Sequence, residues 1–333
     1  MNFRFLLLGL LCATAALPAR AVILNGHDYR PLAVWAAENK FHEADDGRRE
    51  RLTLTNGAAR RLAFEKNSAT AEINGVKVAL SFPVARDRSG VFYIARFDLA
   101  KTVEPLVFSP PVSLKKISTI CLDPGHGGKD SGFRVGKFFP RSEKNCTLAL
   151  ALELRKQLQS AGFKVILTRD RDVYPELAAR PELANRQGAD LFVSLHFNAF
   201  PGDAAGVQGP ETYCITPVGA SSSNAQGEGA GSGATTANRV ENKSLLLAYL
   251  VQRALVKNLG AMDRGVRRAR FEVLRRAEMP AILIEGGYLS HPVEGKKIFD
   301  ANYRRQMAAA LVRGILAYQK LTAPPPSKMP ARK

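Results

Sequence analysis

The stretch Ser118-Thr-Ile-Cys-Leu-Asp-Pro-Gly-His126-Gly-Gly128 constrains this chain most. Thr119 to Leu122 is a short apolar run with two β-branched residues, and it stops at Asp123-Pro124-Gly125, a strong breaker. This predicts a buried strand ending in a tight turn. In open α/β sheets, ligand sites lie just past the carboxyl ends of strands. His126 falls at such an edge, beside glycines that leave no side chains to crowd a ligand. Alone, such a residue reads more simply as a hydrogen-bonded turn histidine. However, Leu191-Phe-Val-Ser-Leu-His196-Phe-Asn198 has the same grammar. Two strands of one sheet then present imidazoles at one edge. Neutral imidazole is a common zinc ligand, and a catalytic zinc site usually has three protein ligands and one position for water. The third ligand should be a carboxylate or another His.

Further pieces follow in order: Leu122-Asp-Pro-Gly-His-Gly-Gly-Lys-Asp130, Ser142-Glu143-Lys144, Val165-Ile-Leu-Thr-Arg-Asp170, Ser194-Leu-His196-Phe-Asn-Ala199, Asp263-Arg-Gly-Val-Arg267 and Pro280-Ala-Ile-Leu-Ile-Glu285-Gly-Gly-Tyr-Leu-Ser290. With them, residues 118 to about 320 resemble the zinc-dependent N-acetylmuramoyl-L-alanine amidases that cut bacterial peptidoglycan. The resemblance implies that His126, Glu143 and His196 hold Zn2+ and that Glu285 is the general base. Glu285 would take a proton from the attacking water and pass it to the leaving amine. The bond cut would be the amide between the lactyl group of N-acetylmuramic acid and L-alanine.

Each of these residues also has a plainer reading. Glu143 opens a helix, where an acid complements the helix dipole. Glu285 ends the apolar run Ala281 to Ile284, where a charge costs several kcal/mol to desolvate unless it is paired, so a salt bridge to a nearby arginine is its alternative. Asn198 alternates to the same strand face as His196, a position from which to orient substrate. Two rival functions stay open: a catalytically silent cell-wall binding protein, and a zinc peptidase acting on soluble peptides.

The start of the chain reads as a signal peptide over residues 1–21. Arg4 supplies a positive n-region, Phe5 to Leu17 is apolar but too short to span a membrane, and Ala19-Arg-Ala21 is an A-x-A-like cleavage site. Export is therefore expected, to a periplasmic or extracellular, cell-wall-associated location. Beyond the leader, Cys121, Cys146 and Cys214 are an odd set that reads as buried thiols. The net charge is +18, or about +16 once Arg4 and Arg20 of the leader are set aside. A balance so basic favours polyanions. Export argues against nucleic acid and for peptidoglycan and an anionic envelope surface. Arg267-Arg268-Ala-Arg270 and Arg275-Arg276 read equally as a solvated face or a polymer track.

The expected fold class is α/β: a mixed, mostly parallel sheet flanked by helices over residues 118–320, with a small α+β accessory domain over 22–110. Pro105, Pro110 and Pro111 mark the approach to a linker at 111–117, and a Pro-rich tail at 321–333 should be disordered. In the accessory domain the sequence predicts strands at 22–24, 51–56, 60–64, 70–73, 76–82 and 91–94. It also predicts a helix over Tyr29 to Phe41 and a hairpin at Asn74-Gly75. This part loosely resembles the module found at copper amine oxidase N-termini, which does not bind the copper there. Its partner is unknown, and its lone His27 and His42 read as structural or solvated.

In the second domain the sequence predicts helices from Ser142 to about Ala161, Pro175 to Gln187, Lys243 to Asn258 and Tyr303 to Lys320. Residues 216–238 are Gly/Ser-rich with Glu228 as the only acid, which predicts a mobile loop. No stable inhibitory helix and an active site open without an activator follow from that. Phe138-Phe-Pro-Arg141 departs from the family's Gly-rich lead into the Glu143 position. His291, before Pro292, stands where the family more often has Asn and reads as a turn residue.

Overall fold

The computed structural model describes residues 22–44, 50–57, 60–108, 116–135, 141–202, 205–223 and 233–323. The expected leader and most of the expected linker and tail lie outside these residues, as does 224–232 with Glu228.

The first part opens with β1 (Val22–Leu24), β2 (His27–Pro31) and α1 (Leu32–Glu38). There follow β3 (His42–Ala44), β4 (Arg51–Asn56), β5 (Arg60–Glu65), β6 (Thr70–Ile73), β7 (Val76–Ala79), β8 (Ala85–Arg86) and β9 (Phe92–Ala95). A helical run closes it: α2 (Arg96–Asp98), a π turn (Leu99–Val103) and α3 (Glu104–Val107). The second part contains β10 (Thr119–Pro124), β11 (Arg134–Val135), β12 (Arg141–Ser142), α4 (Glu143–Ser160), β13 (Lys164–Leu167), α5 (Ala179–Arg186), β14 (Leu191–Asn198) and β15 (Glu211–Ile215). After a 3-10 turn at Thr236–Val240 come α6 (Glu241–Leu259), β16 (Val266–Ala269), α7 (Glu272–Arg275), β17 (Ala281–Tyr288), α8 (Glu294–Phe299) and α9 (Ala301–Thr322).

One sheet of eleven strands runs in the order β13-β10-β14-β17-β15-β16-β7-β6-β5-β4-β3. From β13 to β17 it is parallel. β15 is antiparallel to β17, and β16 is parallel to β15. β7 joins β16 in parallel at the pair Val266 and Val78, and from β7 to β3 the strands form an antiparallel meander. From β13 to β16 the sheet is thus mixed and mostly parallel, as expected for the α/β class. A second, four-stranded antiparallel sheet has the order β1-β2-β9-β8.

Strand alternation sorts the side chains onto two faces. Val193, Leu195, Ile282 and Ile284 point into a core with Leu150, Leu154, Leu245, Leu247, Leu311 and Ile315 of the long helices. That core continues through Trp35, Leu54, Phe64 and Ile73 of the first part. Helix α6 serves both parts, since the Tyr249 hydroxyl donates to the Ile73 carbonyl at 3.1 Å. Phe192, Tyr213 and Leu283 point to the opposite face, against Ala184 and Leu274. His196 and Glu285 share the parity of this second face.

Several local expectations are corrected. The helix expected over Tyr29–Phe41 begins only at Leu32, because Tyr29, Arg30 and Pro31 pair with β9, and Pro31 stands at the helix N-cap with extended backbone. The strand expected over 76–82 ends at Ala79. Beyond it the Ser81 and Phe82 N–H groups donate to the buried Asp98 carboxylate at 2.7 and 2.9 Å. The helix expected from Pro175 starts at Ala179, and the Pro175 carbonyl accepts from Arg180 Nε instead. The Asn74-Gly75 hairpin is present, with both residues at positive φ and Ile73 paired with Val76.

Candidate metal centre and active site

β10 delivers His126 through a turn whose geometry is set from below. Asp123 is fully buried and binds the equally buried Arg180 at 2.9 Å. Its oxygens also accept from Thr168 Oγ1 at 2.6 Å and Ser194 Oγ at 2.7 Å. Arg180 Nη2 reaches the His126 carbonyl at 3.0 Å, and Arg169 donates to the carbonyls of Pro124 and Gly125 at 2.9 and 2.7 Å. Two guanidinium groups therefore hold the loop's carbonyls. They keep His126 in the left-handed region (φ 61°), where few non-glycine residues sit. Gly125 is required by space: a Cβ there would lie 2.3 Å from the His196 ring.

Glu143, the first residue of α4, is buried. Its Oε1 lies 2.9 Å from His126 Nε2 and 3.1 Å from His196 Nδ1, and it accepts from the Phe197 N–H at 3.1 Å. Its Oε2 accepts from the Phe133 N–H at 3.1 Å. Burial alone would raise the Glu143 pKa, but the hydrogen bonds and charge of the two imidazoles outweigh it and hold the carboxyl well below the usual range. One ligand atom from each of His126, Glu143 and His196 lies within 4.8 Å of the others, so the three can hold a metal ion. His126 Nδ1 donates to Asp130 Oδ2 at 2.8 Å, which turns Nε2 toward Glu143. Ser142 stands at the helix N-cap as expected, but its hydroxyl makes no capping bond.

Glu285, on β17, lies opposite His196 of β14 and opposite Glu211 of β15. Its Oε2 is buried without a hydrogen-bond partner. Burial first, then the charges of Glu143 and Glu211, push its pKa well above the ordinary carboxylate value. The salt bridge that the sequence offered as its alternative goes elsewhere: Arg267 Nε lies 2.6 Å from Glu211 Oε2. Glu211 Oε1 accepts from Asn198 Nδ2 at 2.8 Å and from the Tyr288 hydroxyl at 3.1 Å. Asn198 Oδ1 accepts from the Ala199 N–H at 2.8 Å, so both ends of that amide have protein partners.

A family model described as N-acetylmuramoyl-L-alanine amidase matches residues 120–317. The chain belongs to the N-acetylmuramoyl-L-alanine amidase family. The amidase AmiC of Neisseria meningitidis serogroup B is 34% identical over 222 residues, which is 60% of this chain and 52% of that protein. The amidase LytC of Bacillus subtilis is 29% identical over 278 residues, 82% of this chain and 46% of that one. This amidase-family chain thus spans about half the length of these relatives. Among solved structures, AmiC2 of Nostoc punctiforme superposes with a TM-score of 0.51 at 32% identity, covering 61% of this chain and 97% of that one. An N-acetylmuramoyl-L-alanine amidase from Clostridium difficile 630 gives 0.51 at 33% identity, covering 65% and 100%.

Other expected residues in the amidase-family fold fall elsewhere. His291 Nδ1 accepts from the N–H groups of Val293 and Glu294 at 3.2 and 3.0 Å, so it caps α8 as a turn residue. Cys121, Cys146 and Cys214 are free and buried. Two members of the basic run at 267–270 are not solvated. Arg268 and Arg270 are buried and bind the carbonyls of Lys101, Ile215, Pro217 and Ala220. The Asp123–Arg180 pair and Glu211 were missed. Pro210-Glu211 before an apolar strand carries the same signal as Glu285, at the strand's other end.

Proposed function

We propose that the chain hydrolyses the amide between the lactyl group of N-acetylmuramic acid and L-alanine in peptidoglycan, with residues 118–320 as its catalytic part and 22–110 as an accessory unit. The observation that carries this is the cluster of His126, Glu143 and His196 beside the unpartnered Glu285 Oε2, at one sheet edge of an amidase-family fold. Two imidazoles and one carboxylate suit Zn2+, and the three donors already converge, with a Glu143 carboxyl that stays ionised. When bound, the ion supplies positive charge that polarises the scissile carbonyl and makes water more acidic.

The protein groups have separate tasks. Asp130 fixes the His126 ring. Glu285 takes a proton from the attacking water at Oε2 and returns it to the nitrogen of the leaving L-alanine. Burial and the charges of Glu143 and Glu211 favour a proton on this carboxyl. Glu211, gripped by Asn198, Tyr288 and Arg267, braces the next strand, and in this reading Asn198 positions that carboxylate. Export and a wall-associated location follow from the substrate and from the leader at 1–21.

The test is digestion of peptidoglycan by the protein and by Glu285→Ala, with metal content measured in both. Free L-alanine amino termini released by the wild type and not by the metal-loaded variant support the reading. Release of D-alanine alone means a carboxypeptidase. Retention on sacculi without turnover, metal present, means a binding protein.

A further inference from the structure

One strand beyond Glu211, between β16 and β7, lies a cavity of about 320 Å³. Both parts of the chain build it: Lys77 and Thr70 from the first, Ser221, Arg264 and Arg267 from the second. Its lining carries three cations and several hydroxyl groups, and no acid. By strand parity Lys77 and Arg267 share the face that carries His196 and Glu285. Lys77 directly precedes Val78, which bridges Val266, and its side chain is exposed. The Lys77 N–H is fixed by Asp263 Oδ2 at 2.7 Å, and the same carboxylate holds the Gly265 N–H through Oδ1 at 2.9 Å. The cavity is thus pinned to the strand that carries Arg267.

From β17 to the gap between β16 and β7 is two and a half strand spacings, about 12 Å. An extended peptide covers about 3.4 Å per residue, so the third residue after the scissile bond reaches roughly that far. Arg264 and Arg267 both face the single carboxylate of Glu211, at 3.7 and 2.6 Å, and Arg264 also lies over the Tyr288 ring at 5.0 Å, so the two arginines carry one more charge than Glu211 offsets, with Lys77 lining the same cavity.

We infer that this cavity binds a carboxylate of the peptide leaving group, about three residues from the scissile bond, so that the accessory unit contributes Lys77 to substrate recognition. This rests on the amidase reading above.

Two muramyl tripeptides test it: N-acetylmuramoyl-L-Ala-D-isoGln-L-Lys ending in a free carboxylate or in a carboxamide. The wild type should show a KM about tenfold lower for the carboxylate, with similar kcat, and a preference that shrinks as salt rises. Lys77→Gln should cut the preference to about threefold, and Lys77→Glu should abolish it. Circular dichroism and metal content confirm folded variants. A wild type that cleaves both peptides with equal KM, or a preference that survives in Lys77→Glu, overturns the inference and leaves the amidase reading standing. Cleavage of neither peptide, with metal bound, overturns both.

Discussion

His196 and Glu285 stand directly opposite each other on the adjacent parallel strands β14 and β17. A member of the candidate metal cluster and a carboxyl with an unpartnered oxygen are thereby fixed side by side on neighbouring strands. General acid–base groups contribute about 10²- to 10⁴-fold. Glu285→Gln should therefore lower kcat on peptidoglycan by that range while metal content stays at the wild-type level, measured by steady-state assay beside elemental analysis. A loss of metal in this variant would move Glu285 into the ligand set.

Gly125→Ala tests the space around the rings. The added methyl would lie 2.3 to 2.7 Å from three atoms of the His196 imidazole, so the ring must turn away. The expected result is a folded protein whose zinc content drops severalfold. Zinc at a hundred times its dissociation constant should stabilise the wild type by about 2.7 kcal/mol, and chelation should remove that gain. Thermal melts with and without chelator should therefore diverge for the wild type and nearly coincide for Gly125→Ala.

Arg180→Met removes one partner of a fully buried ion pair and leaves Asp123 with neutral partners alone. Such a change typically costs about 3–5 kcal/mol, and replacing both partners recovers much of it. Urea unfolding of Arg180→Met and of Asp123→Asn/Arg180→Met should show the first well below the second. Equal losses would mean that the pair acts only as two independent hydrogen-bonding groups.

Asp98 predicts a pH effect far from the metal cluster. Burial raises its pKa from 3.8 to about 6, against the lowering by the N–H groups of Ser81 and Phe82 and by the charge of Arg268. Between those values the folded chain holds a proton that the unfolded chain has released, so stability falls as pH rises through this window. The full difference is roughly 3 kcal/mol, at about 1.4 kcal/mol per pH unit. The stability of the wild type relative to Asp98→Asn should fall from pH 4 to pH 6.5, read from urea midpoints. A constant difference would refute the shift.

The convergence of His126, Glu143 and His196 was legible because each member ends or begins an element whose signal is local. An apolar strand stops at Asp123-Pro124, another carries His196 near its end, and a helix opens at Glu143. What sequence reading missed depends on pairing between distant segments. Asp123 meets Arg180 57 residues away, and Glu211 meets Arg267 only because β15 lies beside β16. The burial of Arg268 and Arg270 has the same cause. Arg268 and Arg270 look solvated in sequence, but they cross to carbonyls about fifty residues away or more. The over-long helix at 29–41 failed because the local pattern cannot reveal that β9 claims Tyr29 and Arg30.

The union of β16 with β7 has a further meaning. Without the first part, β16 would be the last strand on its side, and its unpaired N–H and C=O groups would be free to template another chain. The five-stranded meander meets that rim at Val266 and moves the sheet's border out to the short, three-residue β3. Shorter and less regular borders are poorer seeds for edge-to-edge aggregation. A fragment beginning near residue 116 would therefore be prone to self-association at concentrations where the longer chain stays dispersed.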